Sequence, residues 1–151
     1  MVRGLLLTLA LAGNACASVL DTSVFDALHL AQACNPRLSL LQRLVIADAV
    51  FTAAKKHEVP VSQILGIIRI ESTFNTKAVS SYGAVGLMQV VPRIHKERIG
   101  AASMFDPKPN VDVGTSILKE YVTKHGANAG LVRYSGNATD YGAKFRQAVA
   151  A

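Results

Sequence analysis

A carboxylate at the end of an apolar helical run constrains this chain more than any other feature. The run is Ile64-Leu65-Gly66-Ile67-Ile68-Arg69-Ile70-Glu71. Ile64, Ile67 and Ile68 lie seven, four and three residues before Glu71, so in a helix all four share one face. A carboxylate on a buried apolar face is costly unless it is paired, hydrogen-bonded or protonated. Burial also raises its pKa, and a glutamic acid that keeps its proton near neutral pH is a general acid. Periodicity alone leaves a second reading open, in which Glu71 is the exposed last residue of a core helix.

The next twenty residues bear on that choice. Ser80-Ser81-Tyr82-Gly83-Ala84-Val85-Gly86 is a turn-forming segment of small residues. Gly83 and Gly86 allow backbone geometry that a side chain forbids and let a ligand approach closely. Leu87-Met88-Gln89 then opens an apolar stretch that Pro92 interrupts. Glu71-Ser72, Ser80, Tyr82-Gly83-Ala84, Gly86-Leu87-Met88-Gln89 and Pro92, taken together, resemble the catalytic core of the soluble lytic transglycosylase (SLT) family. That family cleaves bacterial peptidoglycan and is similar in fold to goose-type lysozyme. The resemblance rests on many residues at fixed spacing and spans about 40–145. It implies a mainly α, lysozyme-like helical domain.

The rest of the chain agrees with that fold class. Asp21 or Ser23 is placed to cap a first helix through Ala33, and Asn35-Pro36 breaks it. A second helix from about Ser39 to His57 carries Leu41, Leu44, Val45, Ala49 and Ala53 at helical spacing. Glu58-Val59-Pro60 breaks the chain again, and Pro60 suits the first turn of the helix that reaches Glu71. Arg93 to Gly100 reads as a short helix or loop, and 104–110 as a turn-rich connection. A helix from Asn110 to about Lys124 has Val113, Ile117, Leu118 and Tyr121 along one stripe. Gly126-Ala127-Asn128-Ala129-Gly130 ends it. No alternating pattern is long enough to demand a substantial sheet, though Ala84 to Gly86 suits a very small β-hairpin.

The first residues, MVRGLLLTLALAGNACA, have the three parts of an export signal in order. Arg3 gives the positive start, Leu5 to Ala12 the apolar core, and Ala15 and Ala17 the small-x-small cleavage pattern. The expected organisation is a signal peptide at 1–17 and a single SLT-like catalytic domain at 18–151. The apolar core is too short to span a membrane, so no stable transmembrane span is expected after cleavage. Export places the chain in the periplasm or at the cell wall. Cleavage after Ala17 removes Cys16 and leaves Cys34 alone; an earlier cut permits a disulfide between them. Lipidation of Cys16 is a third option, but Gly13-Asn14-Ala15 lacks the leucine three places upstream that lipobox sequences carry.

The formal net charge is +6, which favours an anionic matrix. No concentrated basic run or RNA-binding motif points to nucleic acid. His29, His57, His95 and His125 are scattered without metal-ligand spacing, so neither a metal nor another cofactor is expected.

The resemblance assigns the site residues. It makes Glu71 the catalytic acid. Tyr141, in Tyr141-Gly142-Ala143-Lys144-Phe145, matches the tyrosine that hydrogen-bonds this glutamate in the family. Ser80 and Gln89 match positions that meet the sugar and its N-acetyl group, and Ser72 sets the turn or orients Glu71. Arg133-Tyr134-Ser135-Gly136 is the counterpart of an Ala-Tyr-Asn motif, with Ser135 in place of the asparagine. Tyr134 and Ser135 are therefore candidate sugar contacts, and a serine still donates and accepts a hydrogen bond.

Hydrolytic glycosidases commonly need two carboxylates. Glu97, Glu120, Asp106, Asp112 and Asp140 all read as solvated or helix-end residues. The family's chemistry uses one. Glu71 protonates the bond between N-acetylmuramic acid and N-acetylglucosamine, and the muramyl 6-hydroxyl closes a 1,6-anhydro ring. Peptidoglycan strands are thus the expected partner. A small domain of this kind also resembles the wall-opening enzymes of secretion, pilus and conjugation machinery. Hydrolytic muramidase action on the same fold, and a non-catalytic glycan-binding role, are the alternatives.

Overall fold

The computed structural model describes residues 23–150. The expected signal segment and Cys16 lie outside the described residues.

Seven helices account for most of these residues. Helix α1 (Val24–Cys34) and helix α2 (Leu40–His57) both begin with a capping box. Ser23 accepts from the Asp26 N–H while Asp26 accepts from the Ser23 N–H; Ser39 and Gln42 repeat the exchange. Glu58, in the left-handed region at φ 52°, ends α2. Pro60 caps helix α3 (Val61–Ser72) from just outside, one position earlier than the expected first turn.

The buried stripe of α2 differs from the expected one. Leu41, Leu44 and Val45 are exposed, whereas Ile46, Ala47, Ala49, Val50 and Ala53 are buried. The helix carries two apolar stripes side by side. The alanine-rich one is buried, and small side chains of this kind let a helix approach a neighbour such as α5 closely.

Helix α4 (Lys96–Ile99) is a single turn. Helix α5 (Pro107–His125) starts three residues before the expected Asn110. Asp106 caps it, and its prolines fall in the first turn, where backbone N–H groups have no intrahelical acceptor to lose. Gly126, at φ 80°, ends α5, and helix α6 (Ala127–Tyr134) begins at once. The expected terminator 126–130 is therefore mostly helix. Gly130 explains how the two helices fold back so tightly: a Cβ there would lie 2.7 Å from the Val122 backbone. Helix α7 (Tyr141–Ala150) closes the described chain.

The small β-hairpin is reduced to two isolated antiparallel bridges, Val79 with Val85 and Val85 with Val90. The core gathers Ile46 and Val50 of α2, Ile64, Ile67 and Ile68 of α3, Phe74, Leu87, Met88, and Val111 and Leu118 of α5. The three isoleucines of the opening stripe are fully buried. No helix of the described residues is long and apolar enough to cross a membrane.

Candidate active site

Helix α3 delivers Glu71 to a cleft of about 590 Å³. The chain then turns sharply. Thr73 and Phe74 both occupy the left-handed region, at φ 50° and 59°, which costs non-glycine residues about 1 kcal/mol or more each. Phe74 is held there by complete burial and by its carbonyl, which accepts from Asn35 Nδ2 at 3.3 Å. Glu71 is half-buried on the isoleucine face. Burial raises its pKa above the ordinary value, partly opposed by a hydrogen bond from Tyr141.

That bond is short: Tyr141 Oη donates to Glu71 Oε1 at 2.6 Å. Burial and the neighbouring Glu71 charge push the phenol's pKa far up, so it stays a donor. Helix α7 brings Tyr141 in by packing on α3. Gly66 permits the approach, since a Cβ there would lie 2.7 Å from Val149 Cγ2 and 3.4 Å from Phe145. Arg69 Nη1 also donates to the Ala148 carbonyl at 3.3 Å.

One wall of the cleft is the segment 78–91. Ser80 and Gln89 line it, with Tyr82, Ala84, Val90 and Val91. Ser80 Oγ accepts from the Ala84 N–H at 3.0 Å, which leaves its proton free to donate. Gln89 Nε2 donates to the carbonyls of Ala78 and Gly86, which leaves its side-chain carbonyl free to accept.

A buried asparagine braces this wall from behind. Asn110 Oδ1 accepts from the Met88 N–H at 2.8 Å, and its Nδ2 donates to the carbonyls of Val85 and Met104, each at 2.8 Å. Gly86 makes room for it: a Cβ there would lie 2.4 Å from Asn110 Nδ2. Gly114 does the same for Met88, whose Sδ would be 2.8 Å from an added Cβ.

The opposite wall comes from the end of α6 and the turn after it: Arg133, Tyr134, Ser135, Gly136 and Asn137. Tyr134 Oη donates to the Met88 carbonyl at 2.9 Å and so ties the two walls together. Burial raises the Tyr134 pKa well above the ordinary value. The Ser135 hydroxyl donates to the Val132 carbonyl at 2.8 Å and accepts from the Ala138 N–H at 3.1 Å. Ser72 stands apart from the other candidates. It is buried, its hydroxyl donates to the Ile68 carbonyl at 3.1 Å, and it does not line the cleft.

Glu71 is the only carboxylate among the described residues that line the cleft. Asp106 caps α5, Asp140 pairs with Lys144, and Glu120 pairs with Arg98. Asp112 does not act as a simple helix-end charge. It joins α5 to α2 through Lys56 and His57, each at 2.7 Å.

Sequence reasoning missed several residues of the site. His95, Tyr121 and Asn137 line the cleft without belonging to any motif. Asn110 opens Asn110-Val111-Asp112-Val113-Gly114, a segment similar to an Asn-hydrophobic-x-x-Gly segment of the SLT family, which implies a role in covering the catalytic region; its three bracing hydrogen bonds are visible only in the structure.

Residues 48–148 match the family described as the transglycosylase SLT domain. The chain belongs to this family. A protein of Enterobacteria phage PRD1 named transglycosylase is 30% identical over 100 residues, covering 64% of this chain and 37% of that protein. Membrane-bound lytic murein transglycosylase C of Actinobacillus succinogenes is 45% identical over 76 residues, covering 44% of this chain and 21% of that protein. The 70 kDa soluble lytic transglycosylase from Escherichia coli has the same fold, with a TM-score of 0.56 at 23% identity over 87% of this chain. The chain spans 37% or less of the length of each of these proteins. The SLT domain here is thus lysozyme-like and mainly helical, with almost no strand among the described residues.

Proposed function

We propose that this SLT domain is an exported peptidoglycan lytic transglycosylase with Glu71 as its one acid and base. The observation that carries the reading is the Glu71–Tyr141 hydrogen bond in a cleft that no second carboxylate of the described residues lines. Burial favours the protonated acid that the first step needs. Glu71 gives its proton to the glycosidic oxygen between N-acetylmuramic acid and N-acetylglucosamine, and the C1–O bond breaks. The 6-hydroxyl of the muramyl residue then forms a new bond to C1, and the Glu71 carboxylate takes the hydroxyl proton. The product carries a 1,6-anhydro ring, no water is consumed, and Glu71 returns to its starting state. The nucleophile is part of the substrate, so proximity replaces a second catalytic group.

Tyr141 donates to the carboxylate throughout, holding one oxygen so that the other faces the sugar. Ser80 and Gln89 offer a free donor and a free acceptor for the sugar and its N-acetyl group. The protein named lytic murein transglycosylase C in A. succinogenes supports the same substrate class. Export through the N-terminal segment, and service to a secretion, pilus or conjugation apparatus as a wall-opening enzyme, belong to the same proposal.

The test is digestion of purified peptidoglycan with residues 18–151, reading the masses of released muropeptides, with Glu71→Gln as control. Anhydro-muropeptides from the wild type, and at least about a hundredfold less from the variant, are expected. Hydrated reducing ends, one water heavier, would replace the proposed reaction with hydrolysis.

A further inference from the structure

The cleft contains a cation that nothing among the described residues satisfies. Arg133 lines the cleft at the end of α6, is exposed, and has no ion-pair or hydrogen-bond partner for its guanidinium among the described residues. The other charges nearby are accounted for. Arg93 lies over the Tyr82 ring, 4.1 Å from its centroid. His95 lines the cleft, but burial and the nearby Arg98 lower its pKa and favour the neutral ring. Glu71, the one cleft carboxylate, already accepts from Tyr141. Arg133 immediately precedes Tyr134, whose hydroxyl is bonded to the opposite wall, so its backbone is anchored while its side chain is not.

We infer that Arg133 is a specificity residue that binds a carboxylate carried by the muramyl unit of the glycan. This rests on the proposed function for its substrate class. A guanidinium binds a carboxylate through two parallel hydrogen bonds, which gives orientation as well as attraction. Within the glycan backbone, N-acetylglucosamine is neutral and only the muramyl residue carries acid. That acid is the lactyl carboxylate where the peptide has been removed, and the carboxylates of the stem peptide where it has not. A cation on one wall therefore reads which sugar occupies that position. The competing role is local: a positive side chain in the last turn of α6 favours the helix dipole. That role predicts a change in stability and no dependence on substrate charge.

The experiment uses two kinds of strand, peptide-bearing peptidoglycan and strands stripped of peptide by an amidase. Each is prepared with its carboxylates free or converted to amides. Binding is measured by sedimentation in the Glu71→Gln background, with and without Arg133→Ala, and KM and kcat are measured in the Glu71 parent. Arg133→Ala is expected to weaken binding and raise KM about fivefold on strands with free carboxylates, to leave kcat and melting temperature unchanged, and to match its parent on amidated strands. Loss on peptide-bearing strands identifies the stem peptide, and loss on stripped strands identifies the lactyl group. Equal loss on free and amidated strands, or no loss on either, overturns the inference. Binding is read without turnover. A wild type that releases no product would remove the proposed reaction while the carboxylate dependence of binding is still decided.

Discussion

The two walls of the cleft are built on opposite terms. The wall at 78–91 is braced from behind by Asn110, which satisfies two buried backbone groups and the part-buried Val85 carbonyl, and is folded on itself by the bridges at Val79, Val85 and Val90. The wall at 133–137 is largely exposed and is held by Tyr134 and by the local bonds of Ser135. The first wall carries the residues on which the resemblance to the SLT pattern rests, Ser80, Tyr82-Gly83-Ala84 and Gly86-Leu87-Met88-Gln89. The second departs from it at Ser135 and carries the unpaired Arg133. A wall fixed by buried hydrogen bonds tolerates little change, because each substitution strands a polar group. A wall facing water can exchange side chains at small cost.

The largest effect should come from breaking the braced wall. Asn110→Ala leaves the Met88 N–H and the Val85 and Met104 carbonyls without their partner. Each unsatisfied buried group costs about 1–3 kcal/mol, and the space left behind can admit water that recovers part of this. A destabilisation of about 3 kcal/mol is expected in urea unfolding. The two walls meet at the Tyr134–Met88 bond, so activity should fall beyond what the folded fraction explains. A loss below about 0.5 kcal/mol would erase the contrast between the walls.

A smaller effect is expected where α7 meets the site. Tyr141→Phe removes the hydrogen bond that lowers the Glu71 pKa and leaves burial unopposed. The pKa of Glu71 therefore moves further up. The protonated acid persists to higher pH, and the alkaline limb of kcat/KM shifts in that direction. Peak activity should drop about tenfold as the carboxylate loses its orientation. Stability carries the same sign. A carboxyl whose folded pKa is raised contributes stability below its unfolded value, near 4.5, and loses that contribution as pH rises through the folded value. The variant should therefore lose more melting temperature than the wild type between pH 4 and pH 8. An alkaline limb that moves down would show that Tyr141 does not act through this bond.

The legibility of the sequence follows the same division. The buried isoleucine stripe, the start of α2 near Ser39 and the break at Gly126 were readable because each obeys a local rule of spacing or chemistry, and of the two cap candidates Asp21 and Ser23 it is Ser23 that caps α1. The exposure of Leu41, Leu44 and Val45 was not readable, because two apolar stripes compete on α2 and only packing decides between them. The early start of α5 was hidden by prolines that read as loop but suit a capped first turn. In the site, Glu71 and Tyr141 are seventy residues apart, and their contact at 2.6 Å was available only from the family pattern. Ser72 shows the reverse. Its place beside Glu71 in sequence suggested a role at the site, but one helical step turns it about 100° away and buries it against the Ile68 carbonyl.

The smallest effect should separate local structure from recognition on the open wall. Ser135 stands where the family pattern has asparagine, but its hydroxyl is engaged by Val132 and Ala138. Those bonds fasten the turn that leaves α6, with Gly136 and Asn137 both at positive φ. Ser135→Ala should therefore cost about 1 kcal/mol of stability and less than about twofold in KM, because the hydroxyl supports the turn more than it faces the sugar. Ser135→Asn is the sharper variant. An asparagine can cap the same turn and still extend an amide into the cleft. A lower KM in that variant, with stability kept, would show that this wall has given up a sugar contact. An unchanged KM would leave Arg133 as the main polar group through which the open wall reads its substrate.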